Sequence, residues 1–160
     1  MEKFFRAART DELEAVFLMG MDTWSEGRTK ERYLSDCLRS PKYSRGTWYV
    51  LEEAQELRSS LIAYPLGHGT LGLGSIATPP RLRRRGYATQ LIQSALNQFE
   101  DEGTSEFFLF SDIDPSFYVR FGFQALPPSF QPTPGSICML KSPQFEKILN
   151  SADFAAPDYF

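Results

Sequence analysis

The spacing of apolar and polar positions changes several times along the chain, and each change marks an element. Residues 4–9 read as a short strand, after which Thr10 stands as a helix cap with Asp11 and Glu12 in the favoured acidic first turn. Leu13, Val16, Phe17 and Met21 then share one helical face. Thr29 caps a second predicted helix to about residue 39, with Tyr33, Leu34, Cys37 and Leu38 as its apolar positions and Pro41 as its stop. Two β-rich runs, 47–51 and 57–64, flank the polar link 52–56 and predict an antiparallel hairpin. After a turn at 67–70 comes a third run, 71–78, which contains Gly72 and Gly74 and ends at Pro79 and Pro80. Glycine inside a strand marks a bulge or a place where something approaches the backbone closely.

The strongest helical pattern follows, with Ala88, Leu91, Ile92, Ala95 and Phe99 on one face and Gly103 as the stop. Phe107, Phe108, Leu109 and Phe110 form a continuous apolar run of the kind buried on both faces. Residues 71–110 therefore predict a strand, helix, strand unit with parallel pairing and a right-handed crossover. That crossover puts the intervening loop at the C-terminal edge of its first strand. Residues 115–120 fit one or two helical turns with Pro115 at the tolerated first position, and 122–126 resume extended structure. A proline-rich loop at 127–134, a last strand at 137–140 and a short helix after Pro143 complete the pattern. The organisation expected is one α/β domain over residues 1–142, followed by a tail at 143–160 that the pattern does not place.

Composition narrows the classes. A chain of 160 residues, 42% of them hydrophobic, is long enough for one sizeable core. A net charge of -3 argues against a surface built throughout for nucleic acid and leaves room for one local basic site. Charges interrupt the N-terminus where a secretory segment needs an apolar run, and nothing approaches a transmembrane length, so a soluble, cytoplasmic protein is expected with no membrane partner. Cys37 and Cys138 lie far apart without metal-ligand spacing and read as buried, reduced thiols, and no metal is expected.

The local basic site is Arg81-Leu82-Arg83-Arg84-Arg85-Gly86-Tyr87-Ala88-Thr89, between the third strand and the strongest helix. A glycine lets backbone approach an anion, and a helix start aims free amides and the positive end of its dipole at that anion. The stretch reads as a phosphate cradle. Within it, Arg83 to Ala88 satisfy the motif Gln or Arg, two residues, Gly, one residue, Gly or Ala. About thirty residues later stands Phe117-Tyr118-Val119-Arg120-Phe121-Gly122-Phe123.

On these two blocks and the elements around them the chain resembles the GCN5-related N-acetyltransferase (GNAT) family over most of residues 4–140. The resemblance implies an acyl-CoA N-acyltransferase fold, a mixed and mostly antiparallel central sheet splayed at a parallel strand pair and flanked by helices. It implies that the pyrophosphate of acetyl-coenzyme A lies on the amides of Arg84, Arg85, Gly86, Tyr87, Ala88 and Thr89, with Arg83 and Arg84 as the side chains that touch it. The pantetheine arm would run beside Ile76, Ala77 and Thr78. Tyr118 stands where the family keeps a tyrosine that assists the departing thiolate. An unperturbed tyrosine near pKa 10 would protonate a thiolate near 8.5 uphill by about 1.5 pK units. Full transfer therefore needs a shifted site.

The strand before the loop offers no glutamate as a base, which leaves Ser75, as a residue that orients a water, and Asp112, as one that draws the cationic amine or relays its proton. Asp114 reads instead as the cap of the helix begun by Pro115, and His68 as a solvated turn residue. Trp24, Tyr33 and Phe130 hint at an aromatic-lined acceptor cleft. The expected reaction is direct attack of a primary amine, on a small molecule or peptide, on the thioester. The alternatives are a non-catalytic acyl-coenzyme A sensor or interaction module, and a nucleic-acid patch, against which the net charge counts; a homodimer stays open.

Overall fold

The computed structural model describes residues 2–160. Its strands are β1 (Lys3–Ala7), β2 (Thr47–Glu53), β3 (Glu56–Gly67), β4 (Thr70–Ala77), β5 (Glu106–Ser111), β6 (Gln124–Ala125) and β7 (Ile137–Lys141). They join in one sheet in the order β1-β2-β3-β4-β5-β7-β6. β4 and β5 are parallel, while β1 with β2, β2 with β3, β5 with β7 and β6 with β7 are antiparallel. The helices are α1 (Leu13–Leu18), α2 (Met21–Trp24), α3 (Lys30–Leu38), α4 (Tyr87–Asp101), α5 (Ser116–Val119) and α6 (Phe145–Leu149).

Three details depart from the pattern read in the sequence. The polar link between β2 and β3 contracts to Ala54 and Gln55, both with left-handed backbone (φ 53° and 62°), and Glu52, Glu53 and Glu56 become strand residues. Cations hold them there: Arg6 of β1 bonds Glu52 across the strands, Arg58 of β3 lies 3.6 Å from Glu53 of β2, and the same Arg58 lies 3.0 Å from Glu56 on its own strand. Thr10 is not the first cap. The turn Thr10–Glu12 follows Arg9, whose N–H donates to the Glu12 carboxylate at 2.8 Å. Pro115 occupies the position before α5, not its first residue. The Thr29 cap does form, its hydroxyl accepting from the Arg32 N–H at 3.2 Å.

By internal contacts the chain forms two compact units, Met1–Tyr64 with Ser75–Gln98 and Pro65–Gly74 with Phe99–Phe160. In the first, Val50, Leu51, Leu61 and Ile62 of the hairpin and Leu91, Ile92, Ala95 and Leu96 of α4 are all buried. Val16 and Phe17 join this core from α1, with Phe17 edge-on to Trp48. In the second, Phe107, Leu109, Phe123, Met139 and Leu140 are buried, and Phe99 packs on Phe107 at 6.5 Å. The residues after α6 return to β5, where Phe154 stacks on Phe108 and Tyr159 and Phe160 both meet Phe110.

The pairing of β4 with β5 runs from Thr70 opposite Glu106 to Leu73 opposite Leu109. β4 nevertheless continues to Ala77 and β5 to Ser111. Ser75 takes a left-handed φ of 44°, a sparsely allowed conformation for a residue with a side chain. It lies two residues past the last paired one.

Arg6 donates to both Glu12 oxygens, at 2.8 and 2.9 Å, and these bonds hold the Glu12 carboxyl down at about 2. The folded-state value lies below the unfolded one, so the stability this contact supplies is full above about pH 4.5 and drains away as pH falls toward 2. Glu12→Gln is expected to flatten the acid limb of stability over that window in urea titrations at stepped pH. An unchanged acid limb would contradict the assignment.

Candidate functional site

Residues 76–89 all belong to the first unit. The end of β4 is fixed from two sides: Ser59 donates its hydroxyl to the Ala77 carbonyl at 2.8 Å and lies 3.0 Å from the Thr78 hydroxyl, while Arg83 Nε donates to the Thr78 carbonyl at 2.8 Å. Ala77 and Thr78 are buried and Ile76 is half-buried. The Ser75 side chain lies close enough to Tyr43 to oppose the rise that burial gives that phenol.

The arginines of the loop divide into a clamp, a single ion pair and two exposed charges. Arg83 grips Asp22 with both terminal nitrogens, at 2.7 and 2.8 Å, and reaches the Met19 carbonyl at 3.3 Å. This bidentate contact holds the Asp22 carboxyl below its usual range. What the Arg83 side chain does here is tie the loop to α2. Arg81 pairs with Glu56. Arg84 and Arg85 are exposed.

Gly86 has φ 84° with open space at its missing side chain, the nearest atom being 3.8 Å away on Gln90, so backbone geometry rather than crowding selects glycine. Arg84 is left-handed too, at φ 64°. The first intrahelical bond of α4 runs from the Gln90 N–H to the Gly86 carbonyl at 3.0 Å. The amides before it, on Tyr87, Ala88 and Thr89, have no partner within the helix. Tyr87 directs its side chain away from these amides, donating to Glu53 at 2.9 Å beneath the Arg58 guanidinium. The loop thus presents backbone donors, one forced left-handed glycine and two exposed arginines.

Tyr118 and Asp112 belong to the second unit. Tyr118 is buried in α5, edge-on to Phe117 and Phe123. Desolvation first, and the charge of Asp112 second, push its phenol up to about 12. The shift runs opposite to the one that full proton transfer needs: donation to a thiolate near 8.5 would be uphill by about 3.5 pK units, or roughly 5 kcal/mol. Tyr118 is therefore suited to donate a hydrogen bond and keep its proton.

Asp112 is exposed at the end of β5, its carboxylate accepting from the Ser136 hydroxyl and from Tyr159. Asp114 accepts the Ser116 N–H at 2.9 Å and so caps α5. His68 sits between Gly67 and Gly69 in an exposed turn. Cys37 and Cys138 are buried free thiols, and burial pushes Cys138 up to about 12. Trp24 and Tyr33 do line one cleft, about 180 Å³, but the Tyr33 hydroxyl is committed to the Phe17 carbonyl at 2.8 Å. Phe130 packs on Phe154 in the other unit. Among the described residues no group of three or more His, Cys, Asp and Glu side chains could hold a metal ion, and no helix is long and apolar enough to cross a membrane. Sequence reading missed Asp22, Ser59, Ser136 and Tyr159, each brought to its partner by the fold; the lone signal was Gly72.

A mixed sheet whose one parallel pair lies at β4 and β5, with a glycine loop leading from β4 into α4, defines the acyl-CoA N-acyltransferase fold. The model of the acetyltransferase (GNAT) domain matches residues 5–126, and the chain belongs to the GNAT acetyltransferase family. Solved structures share the fold at low identity. The PaiA N-acetyltransferase of Thermoplasma acidophilum, in complex with coenzyme A, is 15% identical over 89% of this chain and 99% of its own, with a TM-score of 0.63. A GNAT family acetyltransferase of Brucella melitensis, in complex with acetyl-CoA, is 23% identical over 86% of both chains, at 0.59. The ribosomal-protein-alanine N-acetyltransferase of Escherichia coli is 16% identical over 99% of both, at 0.64. No curated protein gave a significant match.

The division of the arginines has a direct test. Arg83→Ala removes one ion pair, screened at this exposure, and two bonds to carbonyls, and is expected to lower the unfolding free energy by about 1 kcal/mol in urea. Arg84→Ala and Arg85→Ala should leave the urea midpoint in place. Equal effects from all three would dissolve the distinction.

Proposed function

We propose that this protein transfers an acetyl group from acetyl-coenzyme A to a primary amine by direct attack of the amine on the thioester. The observation that carries the reading is the turn from β4 into α4, where a left-handed Gly86 precedes helix amides without intrahelical partners, in a chain of the GNAT family. Acetyl-coenzyme A supplies the acetyl group as an activated thioester. The residues present suit it: the amides of Arg84, Arg85, Gly86, Tyr87, Ala88 and Thr89 would hold the pyrophosphate, with Arg84 and Arg85 adding side-chain charge. Arg83, gripping Asp22, would keep the loop in shape for that contact. Ile76, Ala77 and Thr78 would border the pantetheine arm, held in place by Ser59 and Arg83.

Tyr118 would offer its hydroxyl to the departing sulfur as a hydrogen-bond donor, because its phenol, pushed up to about 12, keeps its proton over the working pH range. Asp112 would draw the acceptor's ammonium and relay its proton through water to solvent, since a protonated amine near pKa 10.4 cannot attack. Residues 1–142 would carry the transferase, with 143–160 completing it on the second unit.

Binding of acetyl-coenzyme A is measured by calorimetry, and turnover by release of free thiol across a panel of amines and peptides. Thiol release that depends on the amine supports the reading. Tight binding with no release on any amine would favour a sensor. Tyr118→Phe is expected to lower kcat by about 10- to 100-fold, as for loss of a hydrogen bond to a charged group. Because Tyr118 stays protonated, the rate should show no alkaline limb from it below about pH 10. Unchanged kcat in Tyr118→Phe would remove the residue from the mechanism.

A further inference from the structure

Gly72 lies buried in β4, and its φ lies outside the left-handed region. What requires glycine there is a ring: an added side-chain carbon would stand 2.5, 2.8 and 2.9 Å from three atoms of Phe160. Phe160 is 9% exposed and meets Phe110 edge-on at 5.1 Å and 85°. Its neighbour Tyr159 meets the same Phe110 ring at 5.0 Å and 67°. Phe110 is thus covered by two consecutive aromatic residues from the far end of the chain. Phe154 gives that segment a second anchor, stacked on Phe108 and edge-on to Phe130.

The consequence falls on the carboxylate two residues beyond Phe110. The Tyr159 hydroxyl donates a long bond, 3.4 Å, to Asp112 Oδ2, while the buried Ser136 donates to Oδ1. Each oxygen of an otherwise exposed carboxylate therefore has its own donor, from two separate segments. A lone aspartate at the end of a strand would rotate among several staggered conformers. Donors on both oxygens select one.

We infer that Tyr159 is a positioning residue: docked through the Phe160 ring in the slot that Gly72 leaves, it orients Asp112 toward the acceptor amine. The inference rests on the acetyl-transfer reading, in which Asp112 receives that amine, and it gives the 150–160 segment a task beyond packing. Asp112 in turn lies near enough to Tyr118 for its charge to help hold that phenol protonated. The segment thereby touches both groups assigned to the chemistry, one directly and one through Asp112.

The test uses the full chain and three variants. Tyr159→Phe keeps the ring contact and removes the hydroxyl, whereas Phe160→Ala and Gly72→Ala unseat the anchor. The side-chain carboxyl resonance of Asp112, followed by carbon-13 NMR in aspartate-labelled protein, needs no acceptor. Amide hydrogen exchange over residues 150–160 reports docking. Kinetics use an amine that the wild type acetylates.

All three variants are expected to shift the Asp112 resonance and to lower kcat/KM for the amine by about 3- to 10-fold, the range for loss of one hydrogen bond. KM for acetyl-coenzyme A should hold. Phe160→Ala and Gly72→Ala should also lose exchange protection, and Tyr159→Phe should retain it, which separates orientation from packing. An unmoved resonance in Tyr159→Phe, or a moved resonance with wild-type kcat/KM, overturns the positioning role in an active enzyme. Failure of the wild type to acetylate any amine overturns the acetyl-transfer reading, while the resonance still reports whether the contact exists.

Discussion

Four register pairs bind β4 to β5, and past them each strand runs on without the other. This short parallel contact is the constraint on which the rest depends. Had the ladder continued, the backbone groups at the end of β4 would be taken by β5, and Ser75 would have no reason to adopt a strained φ. Ending the ladder obliges the molecule to fix the end of β4 by other means. Ser59 and Arg83 do so, from β3 and from the loop itself. The result is a strand end held by side chains, leading into a loop and a helix start whose first amides have no intrahelical partner.

Charge on that loop is sorted by geometry rather than by count. Arg83 meets a carboxylate with both terminal nitrogens and serves as a tether between the loop and α2, while Arg81 pairs with Glu56. Arg84 and Arg85 remain on the surface. The backbone suits the proposed anion without any side chain, since the first amides of α4 lack intrahelical partners and the fifteen-residue helix directs the positive end of its dipole there. In the second unit the electrostatics point the other way. Burial and a neighbouring carboxylate raise Tyr118, so it favours a role that leaves its proton in place.

Much of this was legible in the order of residues. The helical spacing of Leu91, Ile92, Ala95 and Phe99 gives α4, the run from Phe107 to Phe110 gives β5, and Arg83 to Ala88 give the family motif. Those signals are local. The Arg83 clamp is not, because its partner Asp22 lies on another helix, and nothing in a run of arginines tells which one is taken. Nor could the Glu12 cap be preferred to Thr10 before Arg6 and Arg9 were placed around it. The final aromatic residues were unplaceable for the same reason, although Gly72 carried half of the message: a glycine inside a strand has something lying against it, here Phe160.

The central claim, that the loop into α4 holds the pyrophosphate of acetyl-coenzyme A by its backbone, is tested most directly at Gly86. Asn and Asp have nearly the same size and both tolerate left-handed backbone, so Gly86→Asn and Gly86→Asp differ chiefly in charge. Calorimetry on the two variants should find modest weakening in Gly86→Asn and a further loss of about 10-fold or more in Gly86→Asp, shrinking as salt is added. Equal affinities for acetyl-coenzyme A in the two variants at low salt would contradict the account.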